Sequence, residues 1–231
     1  MDIKEIILET HLIDDLKTFY ADILELDIAA GNDNSIVIKA GATNIKFIES
    51  GNKKNNPFYH FAFNIPENQF SEAKEWISSK VQLIKLNGED EFDFKSWNAH
   101  SIYFYDTTGN IIELIARHNL KNKSDKKFSG KSLLNISEVG FPVKDVEKFY
   151  TKLKQSFNLP VFSGDLKSFT AAGDENGLFI IVPEGRKWFP DCPEAKIHPA
   201  EVFINFISES ILDYQGYRII SSKTQQPENK T

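Results

Sequence analysis

A lone histidine and a lone glutamate each interrupt an apolar stretch, in residues 57–66 (PFYHFAFNIP) and 101–117 (SIYFYDTTGNIIELIAR). Period-two alternation puts Tyr59, Phe61, Phe63 and Ile65 on one face of the first stretch and His60, Ala62 and Asn64 on the other. In the second, Glu113 shares its face with Ile111, Ile115 and Arg117. An imidazole and a carboxylate facing one cavity begin a metal site or an acid–base pair. A buried carboxylate is costly unless a metal, a proton or a cation such as Arg117 offsets its charge.

Both stretches read as strands, and the chain around them is ample for a packed core: 231 residues, 41% hydrophobic and 13% aromatic. A net charge of −6 without a clustered basic face argues against nucleic acid as a partner. No apolar run approaches the ~20 residues of a membrane helix. Cys192, the one cysteine, has no internal disulfide partner, and no leader-like segment opens the chain. The expectation is a cytoplasmic protein with a small-molecule partner.

The elements that position the two residues repeat. A strand at 3–9 leads to a helix at 13–25 with Leu16, Phe19, Tyr20 and Ile23 on one face, then to strands at 35–40 and 44–49. A polar, turn-rich connection at 50–57 precedes the His60 strand. A helix at 67–79, a strand at 81–86, a polar loop at 87–97 and a hairpin of 100–105 with 111–115 follow. Residues 119–133 read as a linker. The third unit opens on the strand 135–143 and continues through a helix at 145–155 to strands at 161–162, 167–171 and 178–182. Its helix, with Phe149 and Tyr150, echoes the first helix, with Phe19 and Tyr20. One more strand at 201–207 and a disordered tail at 221–231 complete the chain.

The helix with Phe19, Tyr20, Leu24 and Leu26, the His60 strand before an amphipathic helix, and the block Tyr103-Phe104-Tyr105-Asp106-x2-Gly109-Asn110-x2-Glu113-Leu114 resemble the vicinal oxygen chelate superfamily. That superfamily includes glyoxalase I, bleomycin-resistance proteins and extradiol dioxygenases. The resemblance covers residues 1–118 well and 134–207 loosely. It implies an α+β fold of paired βαβββ modules forming a cup-shaped mixed sheet (1–118), with a third, incomplete module at 134–220. It also implies a divalent metal, Fe, Mn, Zn or Mg, on the cup floor. His60 and Glu113 fall on two ligand positions, and counting back from Phe19 puts Glu5 on the third, with Glu9 on the same face as the other candidate. One imidazole and two carboxylates form a harder set than the two-histidine, one-carboxylate triad of non-haem iron.

The expected function is therefore a metal-dependent enzyme acting on a small, oxygenated, possibly aromatic substrate chelated through two oxygens. Ring cleavage with O2 leads, followed by isomerase or lyase chemistry and thiol transfer. A metal-free binding or resistance protein using the same cup is the alternative. Tyr103 and Tyr105 are candidate catalytic donors, and Asn64, Trp97, His100 and Arg117 candidate substrate contacts. Arg186 and Trp188 are placed to close over the cup, binding an anionic group and stacking on a ring. Glu138 is a plausible ligand position on the third unit's first strand, but Ile180, Ile181 and Val182 stand where that unit would need a glutamate, so no second metal site is expected. The truncated last repeat leaves room for a homodimer.

Overall fold

The computed structural model describes residues 1–51, 57–206 and 209–223. Most of the expected connection at 50–57 and of the expected tail lies outside them, although 221–223 belong to a strand.

Four units succeed one another. The first is β1 (Asp2–Thr10), α1 (Ile13–Thr18, continued by a π-helical turn over Phe19–Ile23), β2 (Asp27–Asn32), β3 (Ser35–Ala40) and β4 (Thr43–Glu49). The second is β5 (His60–Ile65), α2 (Phe70–Ser78), β6 (Phe92–Phe94), β7 (Ala99–Tyr105) and β8 (Ile111–Arg117). The third is β9 (Asn135–Val143), α3 (Val146–Phe157), β10 (Val161–Gly164), β11 (Thr170–Asp174) and β12 (Gly177–Pro183). The fourth keeps only strands, β13 (Ala200–Phe206), β14 (Ser210–Tyr214) and β15 (Tyr217–Lys223). Three residues separate β13 from β14.

Local chemistry accounts for the boundaries. Asp145 caps α3 by accepting from the Lys148 amide at 2.9 Å, and Asn158 ends the helix in the left-handed conformation. Gln215 and Gly216, both at positive φ, turn β14 into β15.

The units pair in an order that the sequence did not reveal. Units one and four share a seven-stranded sheet, β14-β15-β13-β1-β4-β3-β2. Units two and three share an eight-stranded sheet, β10-β11-β12-β9-β5-β8-β7-β6. Each sheet is centred on an antiparallel pair of first strands, β1 with β13 and β5 with β9. One apolar core joins the two sheets and all three helices, through residues such as Ile6, Leu16, Phe61, Ile77, Phe141 and Phe149. Residues 119–133, expected as a linker, run packed along α2: Asn122 accepts from the Glu67 amide at 2.8 Å, and the Trp76 and Phe128 rings lie 5.4 Å apart.

Several strands differ from expectation, the unexpected β14 and β15 among them. Residues 81–86 make only isolated bridges, Leu83 to Phe104 and Leu86 to Glu89, whereas β6 forms inside the expected loop. β2 is an exposed edge strand with no apolar alternation to announce it.

Candidate metal centre

β5 lies between β8 and β9, and the small residue Ala62 pairs with Glu113 on one side and with Glu138 on the other. His60 stands two residues before Ala62 and so shares its face. The three side chains converge: an imidazole nitrogen and one oxygen from each carboxylate all lie within 4.8 Å of one another, and all three residues are buried. Glu5 is not in this group. It sits on β1 in the other sheet, opposite Asn44 and Phe203.

By register, Glu5 is nevertheless the counterpart of His60. On β1, Ile7 pairs with Lys46 and Glu201 as Ala62 pairs with Glu113 and Glu138, so Glu5 takes in unit one the place that His60 takes in unit two. The position is equivalent, but its unit pairs with the fourth, and Lys46 stands where Glu113 would. Glu9, the other candidate, is likewise on β1, where its carboxylate accepts from Ser50 Oγ at 2.7 Å. The same relation within the eight-stranded sheet makes Ile180, paired with Gly140, the counterpart of Glu113. The fourth position on the floor is therefore apolar.

Surrounding contacts set the protonation states. His60 Nδ1 lies 3.2 Å from the Ile111 carbonyl and donates to it, which leaves the Nε2 lone pair facing the carboxylates. Burial pushes His60 down to about 4, so the ring is neutral near pH 7 and its 3.7 Å contact with Glu113 is not an ion pair. Burial, and next the neighbouring Glu138, push Glu113 up to about 8, against hydrogen bonding from Ser101 Oγ at 2.5 Å and the charge of Arg117. Burial also raises Glu138, while its ion pair with Arg117 acts the other way. Two buried carboxylates, one neutral imidazole and one guanidinium suit a divalent cation: the donor set is one nitrogen and two oxygens, and the cation would offset the charge that burial otherwise suppresses.

Above the floor lies a cavity of about 280 Å³, walled by Phe94, Trp97, Tyr103, Phe169, Trp188 and Phe189, with Arg186 also on its wall. The Trp188 ring is 5.0 Å from that of His60. Gly140 permits this approach, since a Cβ there would come within 2.7 Å of Trp188 Cη2.

No protein-family profile and no curated protein matches this chain. Solved structures do. A protein from Bacillus subtilis described as a "putative dioxygenase" superposes with a TM-score of 0.63 at 12% identity, over 96% of this chain and 85% of that one. Glyoxalase I from Zea mays superposes with a TM-score of 0.56 at 10% identity, over 96% of this chain and 92% of its own, and its V278E variant with 0.59 at 11% over the same shares. The fold is that of the vicinal oxygen chelate superfamily.

Within this vicinal oxygen chelate fold, the structure brings Trp97, Tyr103, Arg186 and Trp188 to the cavity with His60 and Glu113. Asn64 and Arg117 do not line the cavity, and the Arg117 guanidinium lies 5.4 Å from the Trp97 ring instead. Arg117, fully buried, donates from Nε to Asn64 Oδ1 at 3.2 Å and pairs through Nη2 with Glu138, while Asn64 Nδ2 donates to the Glu175 carbonyl at 2.9 Å. His100 points to the opposite face of β7, where its Nδ1 meets His118 Nε2 at 2.9 Å. Tyr105 is 36% exposed and interacts with Cys192 away from the floor. Ser101, Phe94 and Phe169 were not singled out from the sequence, and no local signal marked them. Glu138 carried one, as a lone acid on an apolar first strand.

Proposed function

We propose that this chain is a metal-dependent enzyme of the vicinal oxygen chelate type, in which His60, Glu113 and Glu138 hold a divalent metal and a small oxygenated substrate occupies the cavity above them. The observation that carries the reading is the convergence of two buried carboxylates and one neutral imidazole at the floor of an aromatic cavity. When bound, the metal supplies Lewis-acid polarisation of substrate oxygens. The protein does the rest. Ile111 fixes the His60 tautomer, Ser101 orients Glu113, and Arg117 holds Glu138. Tyr103, whose hydroxyl burial keeps protonated and within hydrogen-bonding reach of Glu113, can donate to a substrate oxygen on which negative charge develops.

The structural neighbours described as glyoxalase I and as a "putative dioxygenase" offer two reaction types. The ligand set favours the first type, isomerase- or lyase-like chemistry, because two carboxylates and one imidazole are harder than the usual non-haem iron triad.

Protein purified without chelators is expected to carry stoichiometric divalent metal by elemental analysis, lost in His60→Ala and in Glu113→Ala. If folded protein takes up none of Fe(II), Mn(II) or Zn(II), the enzyme reading fails and the cavity is a metal-free container.

A further inference from the structure

Arg186 is the one cation on the cavity wall, and its guanidinium has no hydrogen-bond or ion-pair partner among the described residues. Its backbone is fixed at both ends. The Arg186 amide donates to the Pro183 carbonyl at 3.1 Å, and its carbonyl accepts from Ala195 at 2.8 Å, so a short hairpin after β12 presents the side chain to the cavity. The guanidinium lies 5.5 Å over the Phe169 ring, which is itself a cavity wall.

The nearby carboxylate, Asp165, is already engaged. Its Oδ1 accepts from the amides of Lys167, Ser168 and Phe169 at 2.8, 2.8 and 3.2 Å, and its Oδ2 from Ser168 Oγ at 2.7 Å. Those bonds close the turn between β10 and β11, so Asp165 supports the Phe169 platform rather than pairing with Arg186. A half-buried cation without a partner, flanked by flat rings, is organised to receive an anion.

The charges of the cavity lead the same way. With Arg117 already paired to Glu138, Arg186 remains the one uncompensated cation on the cavity wall. A substrate that carries a negative group beyond its chelating head would neutralise it.

We infer that the substrate is a flat, unsaturated acid: vicinal oxygens on the metal, a planar body between the aromatic walls, and a carboxylate on Arg186. This rests on the metal reading of the floor, and the test separates the two. Catechol and 3,4-dihydroxybenzoate share a chelating head and differ by a carboxylate, so their affinities for Zn(II)-loaded and metal-stripped protein are compared by calorimetry.

In the loaded protein dihydroxybenzoate is expected to bind about tenfold tighter than catechol. Arg186→Gln should remove that gap while leaving catechol affinity unchanged, and Arg186→Lys should restore part of it. Equal affinities in the wild type, a gap that persists in folded Arg186→Gln, or binding of neither probe overturns the proposal. Should the gap appear while both probes bind equally well with and without metal, the anion site stands and the metal reading is what fails.

Discussion

Arg117→Met destabilises the protein by about 3–5 kcal/mol, the cost of leaving a buried carboxylate without its counter-ion. Arg117 is fully buried on β8 and pairs with Glu138 on β9 across the intervening β5, with Asn64 on β5 as its second partner. Its removal strands Glu138 among apolar walls. For a domain of this size the melting temperature should fall by about 10 °C, read by calorimetry. Arg117→Met/Glu138→Gln should recover most of the loss, because it removes the stranded charge. A single variant that melts within about 2 °C of wild type would show that the pair carries no such role.

Glu113→Gln should have opposite effects with and without metal. Burial, and next the neighbouring Glu138, hold Glu113 at about 8, against an ordinary value near 4.5. A carboxyl raised on folding contributes stability at low pH that is lost as pH rises, here between about 4.5 and 8. His60 is lowered to about 4 from 6.5, so its contribution is present above 6.5 and is lost as pH falls towards 4. Above pH 8 the metal-free protein thus carries the whole Glu113 penalty, and the amide variant should melt about 5–10 °C higher. Added Zn(II) or Mn(II) should reverse the ranking, stabilising the wild type by its affinity and the variant little. If Glu113→Gln is less stable than wild type at pH 8.5 without metal, burial does not hold the carboxyl unfavourably.

His60 and Glu113 were legible because each is a lone ionisable residue on an apolar strand, and such residues need a reason to be there. The helix faces and the repeating units were legible from periodicity and from the Phe-Tyr pairs at Phe19-Tyr20 and Phe149-Tyr150. Glu138 carried the same local signal as His60, yet its partnership with Glu113 depends on β5 pairing with β9, a contact between units that neither strand encodes. For the same reason the sequence does not show that Glu5, on an equivalent strand, lies in the other sheet from His60. β6 is three residues long, too short for any period to show, although it delivers Phe94 to the cavity wall. Arg186 and Trp188 stood out by type among Pro- and Gly-containing residues, but that Asp165 leaves Arg186 unpaired is a fact of the folded turn.

The central claim is that the third unit supplies the third ligand. Calorimetric titration of Zn(II) into wild type, Glu138→Ala and Glu5→Ala tests it most directly, with folding checked by circular dichroism. Glu138→Ala should weaken binding by at least about tenfold, and Glu5→Ala should leave it unchanged. Wild-type affinity in a folded Glu138→Ala protein, or loss of binding in Glu5→Ala, would contradict the account.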